Sequence, residues 1–263
     1  MINVAIKITN MENKIKHSIK LLQDHEKLAI GMQPFGYHLA FSGGKDSQVI
    51  YELAKMAGVK FKAFFNKTSI DPPEILKFIR NNYPDVEWIK PKMTMYQLIY
   101  KKGLLPIRQA RYCCAELKET SGKNSVVITG ITNQESAKRK KRPEFERDWN
   151  GKNNKYFLHI IKDWKVHEVF EFLKSREIKW SELYQTQTRI GCVGCPMNPK
   201  AMRKDFRERP NFKLAYTNTV RKLMREKGKY SNFENAEDVI EWWSSGLPVR
   251  EYFANKKQMD IIF

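Results

Sequence analysis

Two sets of residues in this chain have types and spacings suited to chemistry. The first is Ser42-Gly43-Gly44-Lys45-Asp46-Ser47, which follows the apolar run Tyr37-His38-Leu39-Ala40-Phe41 and leads into apolar residues at helical spacing. Two glycines let a backbone approach an anion closely, and the amides at a helix start face it with the positive end of the helix dipole. Lys45 adds a full charge, and Ser42 and Ser47 add hydroxyls. Asp46 suits either a metal or hydrogen-bond partner or a helix cap. The loop lacks the four-residue spacer and Lys-Ser/Thr ending of a Walker A motif. A plain Gly-Gly turn is the bland alternative, but all six positions are small, anion-friendly or capping, which favours phosphate.

The second set is Cys113-Cys114 with Cys192-x-x-Cys195, which accounts for all four cysteines. A CxxC pair is shared by zinc knuckles, redox pairs and cluster ligands. Adjacent cysteines reach one small tetrahedral ion together only with difficulty, whereas an iron-sulfur cluster needs a single thiolate per iron. From the residues alone, a cluster, zinc, and free thiols or a disulfide all stay open. Arg111, Lys118 and Arg189 lie close by in sequence and could offset thiolate charge.

The elements that must position these groups follow from periodicity. Apolar spacing predicts a leading helix over 12–30, strands at 37–41, 59–65, 86–89, 126–129 and 157–161, and helices at 46–57 and 93–100. Asp71-Pro72-Pro73-Glu74 opens a further helix, and Asp163 is expected to cap one over 164–173. Beyond about residue 199 only helices follow, near 212–227 and 236–244. Alternating strands and helices imply an α/β fold: a mostly parallel, doubly wound sheet with helices on both faces and a helical C-terminal extension. The expected divisions are 1–30, a leading helix; 31–198, the nucleotide-binding domain; and 199–263, the extension.

Bulk properties narrow the classes. The chain has 263 residues, 41% hydrophobic and 12% aromatic, enough to bury a sizeable core. No apolar run approaches the ~20 residues of a membrane span, and no signal-peptide block opens the sequence, so the expectation is a soluble cytoplasmic protein without membrane partners. A net charge of +19 attracts phosphates, whether of nucleotides or of a nucleic-acid backbone.

The loop Ser42 to Ser47 resembles the PP-loop of the adenine-nucleotide alpha-hydrolase superfamily, and within it the chain resembles the PAPS reductase family. Four further segments agree in order. They are Asn66-Lys-Thr-Ser-Ile-Asp-Pro-Pro-Glu74, Gly130-Ile-Thr-Asn-Gln-Glu-Ser-Ala-Lys-Arg139, His159-Ile-Ile-Lys-Asp-Trp164, and Leu183-Tyr184 with Arg189-Ile-Gly-Cys-Val-Gly-Cys-Pro196. The resemblance covers about 39–197; Thr132 stands where family members often carry arginine. It implies an adenine nucleotide, ATP or an adenylyl sulfonucleotide, held by Ser42, Gly43, Gly44, Lys45, Asp46 and Ser47 together with Gly130, Glu135, Ser136 and Arg139. Lys45 and Asp46 are the expected catalytic residues. The stretch 64–68 is where the resembled fold places adenine. Members with this cysteine set hold a 4Fe-4S cluster, which assigns Cys113, Cys114, Cys192 and Cys195 as its ligands, next to the nucleotide.

Reductases of the family attack the sulfonucleotide with a separate cysteine in a C-terminal tail, and none follows Cys195 here. The leading expectation is therefore ATP pyrophosphatase or adenylating activity, with Mg²⁺ on the phosphates, coupled to sulfur transfer from an external donor onto a nucleic acid or small acceptor, as in relatives of tRNA thiolation and DNA phosphorothioation. The alternative is APS/PAPS reduction with an external thiol reductant, and a third is a non-catalytic binding module. Lys138-Arg-Lys-Lys-Arg142 reads as a nucleic-acid contact or as a solvated loop. His38 and His159 read as structural, and Trp242-Trp243 as core packing or a base-stacking surface.

Overall fold

A computed structural model describes residues 2–148 and 153–262, with side chains over 10–148 and 153–256. The first half runs α1 (Ile2–Met32), β1 (Tyr37–Ala40), α2 (Lys45–Ala57), β2 (Phe61–Asn66), α3 (Pro73–Asn82), β3 (Glu87–Ile89), α4 (Met95–Lys102) and α5 (Tyr112–Leu117). There follow β4 (Val126–Ile128), α6 (Ala137–Lys140), β5 (Phe145–Arg147), β6 (Tyr156–Leu158), α7 (Val166–Ser175) and a 3-10 turn at Glu182–Gln185. Four helices close the chain: α8 (Pro199–Glu208), α9 (Pro210–Lys227), α10 (Ala236–Ser245) and α11 (Val249–Ile262). These elements form two compact units. An α/β unit takes 1–66, 73–89 and 120–190, and a helical unit takes 67–72, 90–119 and 191–263.

The α/β unit is built on a six-stranded sheet in the order β3-β2-β1-β4-β6-β5. All pairings are parallel except β5 with β6. The chain leaves β1 toward β2 and β3, then crosses back to β4, so strand order reverses between β1 and β4. In such doubly wound sheets ligands bind beyond the carboxyl ends at that reversal. The residues make β1 the central strand: Tyr37 and Leu39 are fully buried, and Leu39 sits in register with Ala63 of β2 and Ile128 of β4. Helix α2 buries Val49, Ile50, Leu53 and Ala54, the apolar stripe that its periodicity announces.

Several boundaries differ from the expectation. Helix α1 is longer than 12–30, and β5 is a strand that periodicity misses. It has only three residues, Phe-Glu-Arg, and exists because β6 offers an antiparallel partner. Asp163 does not cap α7. Lys165 holds the N-cap position, where Glu168 accepts its backbone amide at 2.6 Å. The Asp163 carboxylate instead accepts from the Asn133 amide, while its carbonyl accepts the Lys14 ammonium at 2.8 Å.

The helical unit has its own core, in which Leu98 and Ile99 of α4 join Val220 and Leu223 of α9 and Val239 and Ile240 of α10. Helices α5, α8 and α11 are additions to the expected set. Trp243 is buried and donates its indole N–H to the Pro106 carbonyl at 2.6 Å. Trp242 packs against Phe233 and donates to the Leu247 carbonyl, so both tryptophans belong to the interior packing of this unit. Among the described residues no helix is long and apolar enough to cross a membrane.

Candidate functional site

The loop 41–44 carries the chain from the carboxyl end of β1 into α2. Gly43 adopts φ +71°, and a Cβ there would lie 2.7 Å from Ile79 Cγ1, so conformation and space both demand glycine. Gly44 has an ordinary extended backbone and forms the N-cap of α2 without a side chain of its own. Ser42 Oγ accepts the Gly44 amide at 3.3 Å, and Ser47 Oγ donates to the Gly44 carbonyl at 2.8 Å. The two serines thus brace the loop from within. Lys45 is 8% exposed, and its ammonium contacts both Asp46 oxygens at 2.8 and 2.7 Å.

The first amide of α2 is already engaged. Lys45 N–H donates at 2.8 Å to the phenolic oxygen of Tyr184, a residue 139 positions away in the 3-10 turn. That oxygen lies 3.1 Å from where a Gly44 Cβ would stand, so it sits against the glycine loop itself. Burial pushes the Tyr184 phenol up, keeping it neutral, and Phe170 packs edge-on against its ring. Sequence reasoning notes Leu183-Tyr184 as a segment but gives Tyr184 no role. Gln48 was missed as well: it is fully buried on α2 and donates to Tyr83 Oη and to the Lys179 carbonyl. A polar residue beside Val49 and Leu53 was the available signal.

Of the other expected nucleotide residues, Gly130 is brought to the loop. A Cβ on it would meet Asp46 Cβ at 3.0 Å and Asp46 C at 3.1 Å, so glycine lets the end of β4 lie against the first turn of α2. Glu135, Ser136 and Arg139 pair with one another's surroundings instead. Glu135 binds Arg139, accepts the Thr132 amide at 3.3 Å and lies 3.7 Å from Arg189, while Ser136 caps α6 through the Arg139 amide. At the end of β2, Asn66 donates to Ser121 Oγ at 2.8 Å, and its buried amide oxygen has no hydrogen-bond partner among the described residues. His38 and His159 are buried. His38 stacks on Phe64 at 4.2 Å, and His159 lies between Thr129 and Glu146 at 2.6 and 3.1 Å. Burial lowers both imidazoles, His38 to about 4, so both are neutral structural groups near pH 7.

All four cysteines fall in the helical unit as free, half-buried thiols. Cys113 and Cys114 lie in the first turn of α5, and Cys192 and Cys195 flank a turn in which Gly194 has φ +74°. That turn is pinned by Val193 N–H on the Ile70 carbonyl at 2.8 Å and by Tyr216 Oη on the Val193 carbonyl at 3.1 Å. The thiols feel one another. A hydrogen bond with Cys114, then burial and the Cys192 and Cys195 sulfurs, push Cys113 up, while that same bond, with Lys118 and Arg111, draws Cys114 down to about 6. Cys192 in turn raises the Lys118 ammonium that hydrogen-bonds it. Among the described residues, no three His, Cys, Asp or Glu side chains are arranged to hold a single metal ion.

A glycine-containing loop at the reversal point of a mostly parallel sheet is the arrangement of the PP-loop class of α/β proteins. The pattern of the phosphoadenosine phosphosulfate reductase domain matches residues 36–198, and the chain belongs to that family. It is 26% identical over 173 residues to an adenosine 5'-phosphosulfate reductase of Allochromatium vinosum, covering 59% of this chain and 66% of that one. It is 30% identical over 124 residues to an uncharacterized 37.8 kDa protein of Escherichia phage 186, covering 42% of this chain and 37% of that one. The chain thus spans less than two-thirds of the length of these relatives. Among solved structures, the Candida glabrata FMN adenylyltransferase in complex with ATP shares the fold, with a TM-score of 0.52 at 15% identity, covering 70% of this chain and 62% of that one.

Proposed function

We propose that the chain is an ATP pyrophosphatase that adenylates an acceptor oxygen and couples this to sulfur transfer from an external donor, the acceptor being a nucleic acid or a small molecule. One observation carries the reading: the sequence has four cysteines, Cys113, Cys114, Cys192 and Cys195, so once these serve together as ligands no separate thiol remains as a nucleophile. Sulfonucleotide reduction needs a thiolate to attack the sulfur held at the loop. Adenylation needs none. The acceptor oxygen attacks the α-phosphorus, the α–β phosphoanhydride bond breaks, and pyrophosphate leaves. Sulfur then displaces AMP from the activated carbon.

The loop suits that leaving group. The Gly44 and Lys45 amides, the α2 terminus and the Lys45 ammonium would stabilise charge that grows on pyrophosphate, with Mg²⁺ sharing it. Buried Lys45 holds Asp46 until a polyphosphate competes for it. The unpaired Asn66 oxygen suits an amino group such as that of adenine. In the helical unit, Cys113, Cys114, Cys192 and Cys195 would hold a 4Fe-4S cluster. The donor set fits that group in its chemistry: four mutually interacting thiols, with Lys118 and Arg111 to offset their charge. Such a cluster would supply a site to bind or deliver sulfide.

The relative from Allochromatium favours a second reading, APS/PAPS reduction with an external thiol. An anaerobic assay separates the two. With ATP the expected product is pyrophosphate; with sulfonucleotide plus thioredoxin, sulfite would appear only on the second reading. Lys45→Ala is expected to lower pyrophosphate release at least about 100-fold, with an unchanged circular dichroism spectrum. Full turnover in that variant would remove the loop from the chemistry.

A further inference from the structure

The helical unit carries a recess formed by α4 and α9. It measures about 360 Å³ and is lined by Tyr96, Gln97, Tyr100, Asn218, Thr219 and Lys222. That volume admits one base with its sugar, at the lower end of ordinary ligand sites. Tyr96 and Tyr100 are one helical turn apart, so both rings face the same side of α4. Tyr96 leans edge-on against buried Tyr216 at 5.3 Å, which fixes its plane. Tyr100 is approached by two ammonium groups, Lys222 at 4.4 Å and Lys227 at 4.1 Å from its ring centre. Gln97, Asn218 and Thr219 add both donors and acceptors to the same walls.

Charge decides what this recess would take. Together α4 and α9 carry Lys101, Lys102, Lys213, Arg221, Lys222, Arg225 and Lys227 against a single carboxylate, Glu226. Glu116 pairs with Lys102 and Glu237 with Arg221, and the surface stays positive after both. Fixed aromatic planes, amide and hydroxyl groups, and excess lysine and arginine along one helix are what an unpaired nucleotide in a strand requires: a face to stack on, partners for the base edge, and cations for the phosphates on either side. A duplex keeps its bases stacked and out of reach of such a recess. We propose that the α4–α9 recess binds single-stranded nucleic acid, with one base stacked at Tyr96 and Tyr100 and the backbone running along α9. This site is made of helical-unit residues alone, and the proposal does not depend on the reaction performed at the loop.

The test is fluorescence anisotropy of a labelled twelve-nucleotide single strand without ATP, compared with the same strand in a duplex. Tyr100→Ala is expected to weaken single-strand binding about 5- to 100-fold, the range for loss of one stacked base, and Tyr100→Phe to leave it nearly unchanged. Lys222→Glu, at an exposed side chain whose ammonium stands over the Tyr100 ring, tests the charge of the same recess and is expected to weaken binding about 10-fold at low salt. Lys45→Ala should bind the strand as the parent does, which separates this site from the catalytic reading. A photoreactive thiouridine strand should crosslink to the peptide holding Tyr96 and Tyr100. The proposal is overturned if duplex binds as tightly as single strand, if polyglutamate competes as well as the oligonucleotide, if the crosslinks map only to Lys138–Arg142, or if Tyr100→Ala and Lys222→Glu both bind normally.

Discussion

Tyr184 occupies the amide that an incoming phosphate would want most. Its phenolic oxygen takes the Lys45 N–H at 2.8 Å, and it does so from the far side of the sequence. A phosphate oxygen has to displace that contact before it gains its own. A neutral hydrogen bond of this kind is worth about 0.5–1.5 kcal/mol net, so Tyr184→Phe should tighten pyrophosphate binding roughly 2- to 10-fold in calorimetric titration. Weaker binding would instead make the hydroxyl a ligand donor. The loop itself was readable from its six residues, but the separate duties of its glycines were not. Gly43 is forced by a left-handed backbone and the Ile75 and Ile79 side chains, whereas at Gly44 a Cβ would only crowd the Tyr184 hydroxyl, at 3.1 Å. Those neighbours come from other elements, and no local pattern names them.

At the level of elements, α1 and α7 are joined by one ion pair. Lys14 donates to both oxygens of buried Glu168, at 2.8 and 2.6 Å. Burial alone would raise that carboxyl, but the Lys14 ammonium and the Lys165 amide outweigh it, and the net shift is downward. A depressed folded value means the contribution is complete above the unfolded carboxyl pKa, about 4.3, and fades as pH falls through the folded one. Glu168→Gln should therefore cost about 1–3 kcal/mol in urea unfolding at pH 7, and the gap to the parent should begin to narrow below about pH 4.3 and go on narrowing as the folded carboxyl titrates. An equal gap at pH 7 and pH 3 would discard the pair. Helices with a full apolar stripe, such as α2, α9 and α10, were legible in the sequence. Helix α8 was not, because Met202 and Phe206 are its only buried apolar residues among many charges. Nor was α5, a six-residue helix that holds the paired cysteines. Strand β5 depends on β6 for its existence, which periodicity cannot register.

For the whole molecule, the alternation of strands and helices was sufficient to read a mostly parallel sheet, though not its strand order or the reversal beside β1. The interleaving of the two units was not, because contiguous stretches of sequence say nothing about which distant segment completes a core. On the proposed reading the cysteines bridge two of the three segments that make the helical unit. Cys195→Ser should then bleach the visible absorbance of anaerobically purified protein and lower its melting temperature; equal colour in both proteins would discard the cluster. The interleaving also bears on biosynthesis. Cys113 and Cys114 leave the ribosome well before Cys192, and at about 5–20 residues per second the wait is roughly 4–16 s. Throughout that interval the vicinal pair is a nascent dithiol with no counterpart to meet, open to oxidation into a strained ring. On that reading, translation speed and cellular redox poise, as well as the finished architecture, would govern how much cluster-loaded protein is made.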